Sequence, residues 1–169
     1  SRAARSHVTS TQAQPGHLKR ASNVRFQLVL GILAAAYPML SALKVRHLAR
    51  PLMRDFATVS GGTVSIAMPF GLDFIYVETL RTTDAVTHLP DVGFASSLAP
   101  TAVGRALLSL FTREELDAYV ANVKAERPEE ADYVQARTLP DVELCKERGF
   151  AISLGEWRRE IFGVAAPLY

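Results

Sequence analysis

Between positions 45 and 56, apolar residues stand at Val45, Leu48, Ala49, Leu52, Met53 and Phe56. That spacing puts them on one side of a 3.6-residue helix, with Arg46, Arg50 and Arg54 on another. Gly61-Gly62 ends the run. Pro51 has no amide hydrogen, which predicts a bend or break near the helix start. The period then changes. Residues 63–68 alternate and are rich in β-branched side chains, "PFGLD" reads as a turn, and residues 74–78 return, predicting a β-hairpin. A smaller hairpin is predicted earlier, where residues 18–20 and 24–28 flank Ala21-Ser22-Asn23. Residues 1–14 predict a short polar helix that ends near Pro15-Gly16, and residues 86–89 a strand. Residues 98–111, "LAPTAVGRALLSLF", predict a buried helix with Pro100 in its first turn. Thr112 and Glu115 supply a capping box for the next helix, whose apolar side is Leu116, Tyr119, Val120 and Val123. "ERPEEAD" reads as an acidic loop, residues 141–148 as a short helix stopped by Gly149, and "FAISL" and "FGVAAPLY" as strands. A hairpin, then helices, then strands predicts an α+β fold: an antiparallel sheet with helices packed on it.

One stretch fits neither period. "FQLVLGILAAAYPMLSAL", residues 26–43, holds no charge. As a helix it would be about 27 Å long, just short of a hydrocarbon core of about 30 Å. Its composition argues against a membrane. Gln27, Gly31, Pro38 and Ser41 interrupt it, and aromatic residues do not pair at its two edges. Small residues at Gly31, Ala34, Ala35 and Ala36 suit close helix contact. The expectation is a helix buried on most sides between two modules or two subunits, with no membrane partner.

Charge divides the chain at about the same place. Residues 1–54 carry nine Lys/Arg and no Asp or Glu; the remaining residues carry ten Lys/Arg and all 17 acidic residues. A basic head on an acidic body points to a polyanion at the head, or to a plain solvated basic face. A single cysteine, Cys145, excludes a disulfide framework and fits a reducing, cytoplasmic compartment. His7, His17, His47 and His88 lack metal-ligand spacing, and there is no glycine-rich phosphate loop. Neither a metal, a cofactor nor a catalytic residue is expected. Cys145 lies near Lys146 and Arg148, which would favour a thiolate, but Glu143 and Glu147 are also close, and it reads as an inert thiol.

Several motifs together resemble the IclR family of bacterial transcriptional regulators. "SRAARSHVTSTQAQPGHL" followed by "VRFQL" is similar to the family's recognition helix and wing, with Ser1, Arg2, Ala3, Ser6, Thr9, Thr11, Gln14, Gly16 and Leu18 in register. "HLARPLMRDFA" resembles its "elARPlmeeLa" element, and "TVSIAMPFGLDFIYVET" its first effector-domain hairpin. "VGFASSLAPTAVGRALLSLFTREEL" resembles the signature "vGsrlPlhaTAlGkAlLA", with Gly93, Leu98, Thr101, Ala102, Gly104, Ala106 and Leu107 at matching positions. "ERGFAISLGEW" and "VAAPLY" resemble the elements "eRGyA" and "iAaPvf".

The resemblance implies three parts. Residues 1–28 would be the remnant of a winged helix-turn-helix, 29–43 a linker and dimerisation helix, and 44–169 a GAF-like effector-binding domain lacking its C-terminal end. It further implies a homodimer or tetramer, operator DNA as partner and a small organic acid, a keto or aromatic acid, as effector. DNA contacts fall on Arg2, Ser6, His7, Lys19, Arg20 and Arg25. The ligand set is Leu98, Ala99, Thr101, Ala102, Val103, Gly104, Ser153, Trp157 and Gly163. A helix start at "APTAVG" would offer amides to a carboxylate; tight packing is the other reading of its small residues. Trp157 is either an aromatic wall or plain core. The chain departs from the family at Arg5, Gln12 and Pro15, which take apolar positions, and at Ala99, Ser153 and Gly163, where a His, an acidic residue and a Cys are usual. An isolated small-molecule-binding or interaction domain without DNA binding is the alternative.

Overall fold

The computed structural model describes residues 18–22, 25–28, 31–82 and 90–169, with side chains from Ala34 onward except Ala35. It divides into two compact units, Ser1–Ala49 and Arg50–Tyr169. The predicted helix over residues 1–14, with Arg2, Ser6 and His7, and the predicted strand at 86–89 lie outside the described residues.

In the first unit, β1 (Leu18–Ser22) and β2 (Arg25–Leu28) form the expected antiparallel hairpin, with Leu18 opposite Leu28 and a register shift between Arg20 and Ser22. Lys19, Arg20 and Arg25 lie on these two strands. The uncharged stretch is not one helix. Its first residues complete β2, and Gly31–Ala42 form α1. Strand pairing claims Phe26 to Leu28, and the twelve residues of α1 make about 18 Å of helix. No described helix is long and apolar enough to cross a membrane. On this helix Tyr37 and Met39 are 66% and 58% exposed.

Helix α2 (Lys44–Ser60) runs through Pro51 without the expected break. The ring deprives the His47 carbonyl of its i+4 donor, but sixteen other residues keep the helix. Its apolar stripe splits. Met53 and Ala57 are buried, whereas Leu48, Leu52, Phe56 and Val59 are 63–86% exposed.

The second unit holds most of the sheet. β3 (Thr63–Phe70) and β4 (Asp73–Arg81) pair antiparallel, and β5 (Ala95–Ser97) adds to β4, giving the order β3-β4-β5. The β3–β4 turn is Gly71-Leu72, and Gly71 takes a φ of 61°, the glycine-first pattern of two-residue hairpins. A bulge between Ile66 and Ala67 shifts the register.

Helix α3 covers only Ala102–Leu108, shorter than the predicted 98–111. Pro100 precedes its N-cap, Thr101, instead of lying in its first turn. Helix α4 (Arg113–Glu126) starts with the full capping box of Thr112 and Glu115. The acidic "ERPEEAD" segment is not an open loop: it forms a 3₁₀ turn at Pro128–Glu130 and α5 (Ala131–Tyr133). A π turn at Val134–Thr138 leads into α6 (Leu139–Arg148), which Gly149 ends at φ 82°. β6 (Ala151–Leu154) and β7 (Phe162–Ala165) form a second antiparallel pair. Leu72, Phe74, Leu98, Leu108, Leu116, Tyr119, Val123, Val134 and Val142 build the core.

Candidate functional site

Helix α3 packs on β6, β7 and α6 through small residues: Ala102, Ala106, Cys145 and Ala151, with Ala165 against them. Its approach to the preceding chain depends on Gly104, where an added Cβ would collide with the Leu98 carbonyl. At the helix start, the Thr101 hydroxyl accepts the Gly104 amide at 3.0 Å. The cap thus satisfies one of the amides that an anion would otherwise meet.

The most polar feature of this region is buried. Arg105 follows Gly104 on α3 and is 1% exposed. Its Nη1 donates to the Ile152 carbonyl at 2.8 Å, and its Nη2 to the Tyr133 hydroxyl at 3.1 Å. Both reach Glu156 Oε1, at 3.3 and 3.4 Å, and Nη1 also pairs with Asp141 at 3.3 Å. A buried guanidinium is tolerated only when paired and hydrogen-bonded, and here two carboxylates oppose one cation. Glu156 is held from its other side as well. Its Oε2 accepts the Ser153 hydroxyl and the Leu154 amide, each at 2.6 Å. Burial raises its pKa, but the bonds from Ser153, Leu154 and its own amide and the charge of Arg105 outweigh that, leaving it below the ordinary value. Ser153 therefore commits its proton to an ionised carboxylate. Toward a ligand it presents lone pairs, not a hydrogen.

Past Glu156, Trp157 continues a line of rings. Phe74 meets Tyr76 at 5.1 Å, Tyr76 stacks on Phe94 at 6.2 Å, and Phe94 meets Trp157 edge-on at 5.6 Å. The Arg158 guanidinium covers the Trp157 ring at 4.5 Å. No group of His, Cys, Asp and Glu among the described residues is arranged to hold a metal.

Residues 37–169 match the family of bacterial transcriptional regulator IclR C-terminal domains. The chain belongs to the IclR family. That family consists of transcriptional regulators, not enzymes. The chain is 24% identical over 163 residues to the HTH-type transcriptional regulator KipR of Bacillus subtilis, covering 96% of this chain and 65% of KipR. An IclR family regulator from Brucella abortus superposes with a TM-score of 0.84 at 29% identity, over 96% of this chain and 62% of that one. An IclR homolog from Microbacterium hydrocarbonoxydans, solved with 4-hydroxybenzoate, superposes with a TM-score of 0.70 at 18% identity, over 96% of this chain and 68% of that one. The chain thus spans somewhat under two thirds of the length of KipR and of the Brucella protein.

The expected ligand residues are not one cluster. Ala102 lies where α3 meets β6 and β7, a Cβ on Gly163 would come 4.0 Å from its own, and Ser153 pairs with Gly163 across the two strands. Thr101 caps α3, Gly104 closes on the Leu98 backbone, and Val103 packs against the main core. Leu98 and Ala99 belong to the main core, and the Ala99 carbonyl accepts the Thr138 hydroxyl at 3.0 Å. Leu98, Ala99 and Ala102 are at most 3% exposed, so in this conformation their side chains serve packing. Trp157 stands apart with the aromatic line. A cleft of about 250 Å³ lies elsewhere, between Gly71 and Leu72 of the β3–β4 turn and Glu115, Ala118, Tyr119 and Asn122 of α4, and shares no residue with the ligand set. Sequence reasoning missed Arg105 and Glu156. The available signal was a lone charge inside the apolar run "AVGRALLSL", which must find a buried partner.

Proposed function

We propose that this chain is the greater part of a ligand-responsive transcriptional regulator of the cytoplasm, in which a small organic acid binds the α+β unit and changes how a DNA-binding head meets its operator. The observation that carries the reading is the IclR C-terminal match over residues 37–169. The 4-hydroxybenzoate held by a protein of the same fold supports an aromatic acid as effector. The ligand contacts proposed are Leu98, Ala99, Thr101, Ala102, Val103, Gly104, Ser153, Trp157 and Gly163. The acceptor character of Ser153 favours an acid with a hydroxyl at its far end. Residues 1–28 act as the DNA-binding remnant, with Arg2, Ser6, His7, Lys19, Arg20 and Arg25 toward DNA; residues 29–43 link it to the effector domain, residues 44–169. The exposed stripe of α2 supports assembly as a homodimer or tetramer. Coupling then requires only that the ligand prefer one arrangement of the heads over another.

Thermal-shift titration with keto acids and aromatic acids, 4-hydroxybenzoate among them, tests the sensor. A shift that saturates with concentration is expected for at least one acid; none at millimolar concentration would sink it. Arg5, Gln12 and Pro15, at apolar positions of the family's recognition helix, favour a second reading, a small-molecule-binding domain without DNA binding. Absence of any gel shift at about 50 mM salt would support it.

A further inference from the structure

Two members of the proposed ligand set, Ser153 and Trp157, stand at the junction of β6 with the connection to β7. That connection, residues 155–161, contains no helix or strand. It starts at Gly155 with a φ of 88°. We infer that Arg105 is the positioning residue of this site: from inside α3 it straps the connection down through Glu156 and so sets where Trp157 and the Ser153 oxygen stand. The inference rests on the ligand-binding reading of those two residues.

Three observations carry it. Arg105 is among the largest fully buried side chains, on a helix otherwise packed by Ala, Gly, Val and Leu. Its position is over-determined by bonds from three elements: the Ile152 carbonyl on β6, the Tyr133 hydroxyl on α5 and the Asp141 carboxylate on α6. A group so fixed is a rigid anchor. Glu156 is the remaining partner and the only one on the connection itself. It bonds Arg105 through Oε1 while Oε2 takes Ser153 and Leu154. One carboxylate, on the residue that precedes Trp157, therefore joins the anchor, the Ser153 hydroxyl and the Leu154 amide at the end of β6. Asp141 meets the same guanidinium from α6 and makes no hydrogen bond or ion pair to the connection.

That asymmetry supplies the test. Trp157 is the single tryptophan of the chain, so its fluorescence reports the connection alone. Glu156→Ala and Asp141→Ala each leave Arg105 with one carboxylate, and both should lower the unfolding midpoint. Only Glu156→Ala should free Trp157, with a rise of about twofold in its acrylamide quenching constant and an emission shift to the red. Glu156→Gln, which keeps the bulk, should give a smaller rise with the far-ultraviolet circular dichroism unchanged; it decides the matter if the alanine variant does not fold. Wild-type quenching in the folded Glu156 variants would overturn the inference, as would an equal rise in Asp141→Ala. No ligand is used, so the outcome is separate from the acid titration that tests the proposed function.

Discussion

At Gly104 a single hydrogen atom decides whether α3 can lie where it does. Any Cβ there collides with the Leu98 carbonyl, which is backbone and cannot rotate away. Gly104→Ala should therefore cost about 3 kcal/mol, read from urea denaturation midpoints of the two proteins. Glu156 makes a prediction of different kind. Its folded pKa lies below the ordinary 4.5, so the unfolded chain takes up that proton more readily. Its contribution is complete above the unfolded value and is lost as pH falls through the folded one. Between about pH 7 and pH 3, Glu156→Gln should lose less stability than the parent, while the difference between them at pH 7 stays constant upward. Arg105 and Asp141 share this cluster and remain in both proteins. An unchanged acid limb in urea melts would refute the assignment. The small residues of "TAVG" were legible as a close approach; which backbone they approach was not, because Leu98 reaches Gly104 through a turn whose path spacing does not reveal.

Among the elements, those with caps were read best. Thr112 and Glu115 start α4 as their types require, and Gly149 ends α6 in the left-handed conformation that glycine tolerates. Helix α3 was read too long, since "LAPT" before it is as apolar as the helix itself and only Thr101 marks the start. The acidic run was read as a loop, yet Pro128 begins a helical turn there. The stripe on α2 was recognised but not its division. Leu48, Leu52, Phe56 and Val59 recur at steps of four, four and three on the exposed side, the spacing of a helix-pairing seam. For the proposed homodimer or tetramer, Leu52→Glu should shift the chain toward smaller species in light scattering during gel filtration, with helix content unchanged. Met53→Glu should instead destabilise the fold, because Met53 is 6% exposed.

For the molecule as a whole, the charge division sets what its two ends can meet. Nine Lys/Arg and no acidic residue lie in positions 1–54. If about four or five phosphates are neutralised, the logarithm of DNA affinity should fall against the logarithm of salt with a slope near −4. Replacing Lys19, Arg20 and Arg25 with alanine should flatten that slope by about 3. Gel shifts over a salt series measure both; a wild-type slope near zero would refute the head as a DNA-binding element.

The order of residues alone determined the α+β class, the hairpins, the capped helices, the charge division and the resemblance that the family match supports. These depend on spacing along a chain, or on one residue's preference for one backbone conformation. Tertiary structure decided which edge of the α2 stripe is buried and how the charge of Arg105 is paired. Each depends on groups distant in sequence: a packed neighbour, or the carboxylates Asp141 and Glu156, 36 and 51 positions away. Burial turns such meetings from optional contacts into requirements, because an unpaired charge inside a protein has no water to fall back on.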